Sequence, residues 1–324
     1  MKKIIFINII VIISILITLE IFARIYISIT RGNSTAGIME RNQNLRYQPF
    51  TMYGHDWMKV YKEFHENSKN NDDFKVLLIG GSTAESFPEE ILENEIFKTT
   101  KKKVKVYNSA HGGYISAQEL IVTTSYSSLI NPDLIINLNV ANDILYGIRK
   151  NNIPGTFGLN NTYKNILTKP YLGPFIYILQ QSQLFNGLIR LSARRNQFNI
   201  KDYDEHINVL VRNINNIYLY CKGADILYLN VMQPHVIFKN TKHENEKKFK
   251  AYDYRSKIVE DLYNLTSKKI ILNEKNFLDS RFIFNDNPSH IFSDDVHFIN
   301  KKGYEILANS IAKKIALLIG NGKH

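Results

Sequence analysis

From Lys75 onward the chain alternates short runs of β-branched and aliphatic residues with longer stretches whose apolar positions recur every three to four residues. The short runs are Val76–Ile79, Val104–Tyr107, Leu134–Leu138, Ile226–Val231 and Ile270–Leu272, and each reads as a strand buried on both faces. Four helices are predicted between and after them. Pro88–Thr99 opens with proline at the first helical position, followed by Glu89 and Glu90. Ser116–Leu129 is the second. Asp202–Cys221 carries Ile207, Leu210, Val211, Ile214, Ile217 and Tyr218 at helical spacing, and Lys302–Ile319 carries Tyr304, Leu307, Ala308, Ile311, Ile315 and Leu318. Alternating strands and helices predict an α/β domain over 74–319, a five-stranded parallel sheet covered by helices on both sides. Residues 147–197 interrupt the alternation and are too long for a plain connection. They read as an insertion forming part of a binding wall, with a helical flap over the sheet as the alternative.

The first thirty residues follow a different pattern. Lys2 and Lys3 precede an apolar run from Ile4 to Leu19, which Ile21, Phe22 and Ala23 extend past Glu20. About 20 such residues cross the roughly 30 Å hydrocarbon core of a bilayer as a helix. Bulky or charged residues around Glu20–Arg24 make a poor cleavage site, so an uncleaved signal anchor over 1–30 is expected, ahead of a cleaved signal or a buried helix. Lys2 and Lys3 place the amino end in the cytoplasm although Arg24 and Arg31 oppose them, and the single-pass body is then extracytoplasmic, in the periplasm or outside the cell. Residues 31–73 are polar and aperiodic, a stalk or edge segment, and 320–324 form a tail.

Composition narrows the classes. With 44% hydrophobic and 22% charged residues the chain is a folded protein with a sizeable core. Its single cysteine, Cys221, excludes an internal disulfide framework and any cysteine-rich metal site. The net charge of +11 comes from dispersed lysines, and no basic run coincides with a nucleic-acid-reading motif, so no nucleic-acid partner is expected.

Candidate chemistry collects where the strands end. The first strand runs into Gly80-Gly81-Ser82-Thr83, which puts a serine on a tight turn before a helix; a phosphate-binding turn or a simple helix cap has the same look. The second runs into Asn108-Ser109-Ala110-His111-Gly112-Gly113-Tyr114, where glycine lets the backbone approach a ligand. The third ends in Val140-Ala141-Asn142-Asp143, whose amide can donate. Near the C-terminus, Asp294-Asp295-Val296-His297 spaces a carboxylate three residues before a histidine, and of the nine histidines His297 alone has that arrangement. Asp295 is expected to be solvated or structural, and Asp143 a loop hydrogen-bond acceptor. His111, Tyr114 and Gln233-Pro234-His235 could line the same cleft or simply pack and turn.

These blocks, in this order, resemble the SGNH or GDSL hydrolases, and the resemblance covers roughly Lys75 to Ile319. It implies a flavodoxin-like three-layer α/β/α fold. Ser82 matches the nucleophile, Asp294 and His297 the acid and base; Ser82, Gly113 and Asn142 match the oxyanion hole. Two positions depart from the pattern: Gly81 replaces the usual Asp before the serine, and Val140 stands where glycine is usual. Gly303-Tyr304 resembles the family's lead into its last helix. The activity implied is acyl transfer through an acyl-enzyme without metal or cofactor, an ester hydrolase acting on an acylated small molecule, glycan or lipid. An O-acyltransferase for an extracytoplasmic polysaccharide, or an inactive glycan-binding or assembly protein, are the alternatives.

Overall fold

The computed structural model describes residues 2–31, 50–51, 54, 62, 64–66, 73–147, 155, 182, 203–247, 249 and 253–320. Its contacts divide the chain into two units, residues 1–47 with 158–198 and residues 48–157 with 199–324.

In the first unit the described helix, α1, runs over Lys2–Arg31. Phe6–Ile25 within it has a mean hydropathy of 2.6 and none of it is buried, and it is long and apolar enough to cross a membrane. Glu20, the one acidic residue in that stretch, is bonded on both sides. It accepts from Arg24 one turn later (2.9 Å) and from the Ser182 hydroxyl (2.7 Å). The binding wall or flap expected at 147–197 otherwise lies almost wholly outside the described residues.

The second unit is the α/β domain. Its strands are β1 (Phe74–Gly80), β2 (Val104–Asn108), β3 (Leu134–Asn139), β4 (Leu227–Met232) and β5 (Phe277–Asp279), in spatial order β2-β1-β3-β4-β5 and all parallel. Between and after them come α2 (Ser82–Glu85), α3 (Glu89–Thr100), α4 (Ser116–Ile130), α5 (Ala141–Gly147), α6 (Tyr203–Gly223), α7 (Glu244–Lys247), α8 (Asp253–Lys269) and α9 (Lys301–Gly320). The long apolar runs are strands because both sheet faces are covered: every residue of β3 is buried, as are the last five of both β1 and β4. Val76, Leu78, Leu134, Ile136, Leu229 and Val231 pack with Ile91, Leu92 and Ile96 of α3 and Leu307, Ala308, Ile311 and Ile315 of α9. A second cluster joins Ile207, Leu210 and Ile214 of α6 to Val259, Leu262 and Tyr263 of α8.

Four of the predicted strands and all four predicted helices are present, with ends shifted by a residue or two; Pro88 caps α3 from just outside it. The fifth strand is a correction. Ile270–Leu272 is not a strand, because Ile270 N–H still bonds the Thr266 carbonyl and finishes α8; the strand paired with β4 is Phe277–Asp279. Part of 31–73 packs on the domain edge, where Phe64 is buried edge-on against Tyr107 of β2 and Tyr126 of α4. Thr51 is buried too, its carbonyl accepting from Gln118 Nε2 (2.8 Å).

Between β4 and β5 lies a buried ion pair, Lys239 with Glu246, 1% and 0% exposed (2.5 Å). Every remaining partner is supplied by backbone. Lys239 Nζ donates to the Ser289 carbonyl (2.6 Å), and Glu246 accepts the N–H groups of His243, Ile291 and Phe292 at 2.8–3.0 Å. Burial alone would push the Glu246 carboxyl up, but Lys239 and those N–H groups outweigh it and hold it below its ordinary value. The pair therefore fastens 289–292 to the segment 239–246 that follows β4. Removing one member strands the other charge, so Glu246→Ala should cost about 3–5 kcal/mol, read as a lower urea midpoint at unchanged slope. A change under about 1 kcal/mol would show that 289–292 is held by something else.

Candidate active site

The sheet order makes the crevice. The chain steps from β1 to β2 on one side and then crosses back to place β3 on the other, so the loops after β1, β2 and β3 diverge around the carboxyl end of β1. All three carry blocks singled out in the sequence. Ser82 is the first residue of α2, with Gly81 as its cap, and a helix's first N–H has no acceptor one turn earlier. Two glycines shape this turn. A Cβ on Gly80, where φ is +149°, would lie 2.2 Å from the Leu138 carbonyl oxygen. A Cβ on Gly81 would lie 2.4 Å from Asn142 Nδ2, so any side chain at 81, the usual Asp included, would require Asn142 to move. The departure at 81 and the placement of Asn142 are one fact.

Asn142 sits in the first turn of α5 and donates one amide hydrogen to the Tyr114 carbonyl (2.8 Å), which leaves its second for a ligand. The turn into α5 is made by Val140 at φ +94°, a conformation that costs a β-branched residue about 1–3 kcal/mol. Its side chain, 1% exposed, is held in the core cluster with Ala141, Ile144 and Met232. Gly113, at φ +82°, turns the loop after β2, and the neighbouring Gly112 faces Ser82: a Cβ built there would be 3.7 Å from Ser82 Cβ.

His297 comes from the far end of the chain. Phe292 and Phe298 form an antiparallel bridge that closes the loop between them, and Ser293 N–H bonds the His297 carbonyl (2.8 Å). Beneath it, Phe284, Phe292, Phe298 and Tyr304 pack ring against ring, and Gly303 is glycine because a Cβ would sit 2.6 Å from the Phe298 ring. On this loop Asp294 Oδ1 accepts the N–H groups of Val296 (2.9 Å) and His297 (2.8 Å), while Oδ2 pairs with His297 Nδ1 (2.7 Å). His297 Nε2 lies 2.7 Å from Ser82 Oγ. With Nδ1 donating to the carboxylate, Nε2 is the free lone pair and the serine hydroxyl donates to it. Burial would raise the Asp294 carboxyl, but the His297 ring and the two loop N–H groups bring it down to about 2.

The sequence blocks did not reveal what locks the two halves together. Gln233 Nε2, at the end of β4, donates to Thr83 Oγ1 (2.6 Å), and Thr83 donates to the Val296 carbonyl (3.3 Å). The residue after Ser82 is thus tied to the residue before His297. Gln233 is a positioning residue, and His235 turns the chain by accepting from Ile237 N–H (3.2 Å). His111 and Tyr114 are buried and stacked on each other, with ring centroids 5.2 Å apart. Asp143 accepts both N–H and hydroxyl of Ser116 at the start of α4; it is an acceptor as expected, but from the first turn of α5 and not from a loop. Burial raises Asp143 to about 6 and Cys221 to about 12, which leaves the thiol unreactive at neutral pH. Among the described residues no group of three or more His, Cys, Asp or Glu side chains is placed to hold a metal.

No protein-family model and no curated protein matches the chain. Among solved structures it is similar to a GDSL-like lipase from Bacteroides thetaiotaomicron (TM-score 0.42, 13% identity, 80% of this chain and 98% of that one). It is similar as well to a lipase/acylhydrolase from Enterococcus faecalis (0.42, 12%, 75% and 96%) and to a catalytic mutant of an acetylxylan esterase from Geobacillus stearothermophilus (0.42, 14%, 76% and 94%). At these scores and identities the likeness is similarity alone, and the assignment below rests on the chain's own atoms.

The Asp294 carboxyl titrates lower folded than unfolded, so it contributes stability above its unfolded value near 4 and loses it as pH falls toward 2. The stability gap between wild type and Asp294→Asn should shrink as pH falls below about 4. A gap that persists unchanged to the lowest pH at which both proteins fold would contradict this.

Proposed function

We propose that this chain is a serine esterase of the SGNH or GDSL type. The observation that carries the reading is the unbroken relay from Ser82 Oγ to His297 Nε2 and from His297 Nδ1 to Asp294, 2.7 Å at each link, assembled from segments 215 residues apart. His297 takes the proton as Ser82 Oγ attacks an ester carbonyl, and Asp294, ionised throughout the neutral range, holds the ring in the required tautomer and stabilises the imidazolium. The tetrahedral oxyanion is received by the N–H groups of Ser82 and Gly113 and by the second amide hydrogen of Asn142. His297 then returns the proton to the leaving alcohol, and water, activated the same way, releases the acid and frees Ser82.

The substrate class follows from location. With α1 as a membrane anchor and the α/β domain outside the cytoplasm, the esters within reach are acyl groups on cell-envelope or exported glycans, and deacetylation of such a glycan is the reading we favour. The acetylxylan esterase among the similar structures is named for that kind of chemistry.

Labelling of the full chain in detergent with a neutral fluorophosphonate, with 4-nitrophenyl acetate hydrolysis alongside, is the direct check. Ser82→Ala and His297→Ala should each abolish labelling and lower kcat on the order of ten-thousand-fold. Full hydrolysis by Ser82→Ala would remove the serine from the mechanism.

A further inference from the structure

One ionisable group at this site has no role in the relay. Glu85 closes α2, one turn after Ser82, and is half-buried. Its carboxylate lies against the glycine loop: a Cβ built on Gly112 would be 3.0 Å from Glu85 Oε2 and 3.7 Å from Ser82 Cβ. The nucleophile and this carboxylate therefore lie beside the same glycine, no more than about 7 Å apart. Among the described residues Glu85 makes no ion pair or side-chain hydrogen bond, unlike Asp294, which is paired with His297 and two N–H groups, or Asp143, which is paired with Ser116.

A bare carboxylate so close to a developing oxyanion works against catalysis unless something neutralises or hydrogen-bonds it. Among the described residues nothing does, and because Glu85 is only half-buried beside Ser82, a bound substrate that displaces its water has to supply the partner. A carboxylate offers only acceptors, so the group it receives is a donor, a hydroxyl or an ammonium, and a second carboxylate at the same spot is repelled. Resting on the esterase reading above, we propose that Glu85 is a specificity-determining residue that accepts hydrogen bonds from the substrate beside its ester and excludes esters carrying a negative charge there.

The test compares matched sugar acetates: 4-O-acetyl derivatives of methyl glucoside, methyl 6-amino-6-deoxyglucoside and methyl glucuronide, which place a hydroxyl, an ammonium or a carboxylate at the same position, C6, beside one ester. Wild type is expected to hydrolyse the glucoside or the aminoglucoside, or both, at least about tenfold faster in kcat/KM than the glucuronide, a difference of about 1.4 kcal/mol. Which of the two leads identifies the donor as hydroxyl or ammonium. Glu85→Gln should bring the glucuronide to within about threefold of the better sugar, and Glu85→Lys should favour it. Fluorophosphonate labelling of each variant reports whether Ser82 is still activated. Equal use of all three acetates by an active wild type, or a ratio unmoved by Glu85→Gln in a variant that labels, overturns this proposal alone. A folded wild type that neither labels nor hydrolyses any ester overturns it together with the esterase reading.

Discussion

A parallel sheet buried on both faces leaves a ligand one way in, at the edge where the strands end. In this chain that constraint is severe, since the central strands carry almost nothing but buried positions and helices cover both sides. Reversal of strand order at β1 then selects the spot along the edge, because only there do consecutive loops part instead of covering one another. Ser82, Gly112–Gly113 and Asn142 follow β1, β2 and β3, and they share one crevice because those strands are neighbours. Nothing in the serine itself makes it a candidate nucleophile; its position on the sheet edge, within reach of His297, does.

The fourth contribution has no strand of its own to stand on. Asp294 and His297 belong to a loop, and a loop offering a base within 2.7 Å of a serine hydroxyl must be held as firmly as a strand. Three independent ties supply that rigidity. The Phe292–Phe298 bridge closes the loop over an aromatic cluster, Glu246 receives the N–H groups of Ile291 and Phe292, and Thr83 grips the Val296 carbonyl. The last tie runs from the turn that carries Ser82, so Ser82 and His297 cannot drift apart without breaking it, and Gln233 holds Thr83 in turn. The costly buried ion pair of Lys239 and Glu246 makes sense in these terms: a hydrophobic pair would fill the space as well but would leave the Ser289 carbonyl and the Ile291 and Phe292 N–H groups without these partners.

What could be read from the sequence follows the range of the interactions. β1 to β4 were legible because two-sided burial writes itself as an uninterrupted aliphatic run, and α6 and α9 because one apolar face repeats over five turns or more. The candidate triad and oxyanion residues were legible because each sits within a few residues of a strand end or of its partner. β5 was not, since three half-buried residues at a sheet edge carry no periodicity, while the stronger-looking Ile270–Leu272 is the frayed end of α8. α8 went unread although Val259, Leu262, Tyr263 and Thr266 have helical spacing, because lysines and acids surround them. The Gln233–Thr83 bond joins residues 150 apart, and no local pattern announces such a contact. Val140 was visible only as a departure from a resemblance; the reason a β-branched residue survives at φ +94° is the core pocket its side chain fills.

The acids around the crevice show how burial and pairing divide the electrostatic labour. In the proposed mechanism an oxyanion forms close to Asn142, yet Asp143 is its chain neighbour and Glu119 lies deeper in the same sheet–helix interface. Burial raises both carboxyls, and the charge of Asp143 raises Glu119 further against the opposing hydrogen bond from Asn139, so the pair favours a single negative charge over two. That charge is spent on the N–H and hydroxyl of Ser116 at the start of α4, where a carboxylate complements the unpaired N–H groups of a helix end. Asp294 goes the other way, held ionised by the His297 ring and the loop N–H groups. In the proposed mechanism these three carboxyls are kept from opposing the oxyanion, Glu119 by the burial that raises it, Asp143 by the start of α4 and Asp294 by His297. Among the described residues Glu85 makes no such bond, and the partner we propose for it is the substrate.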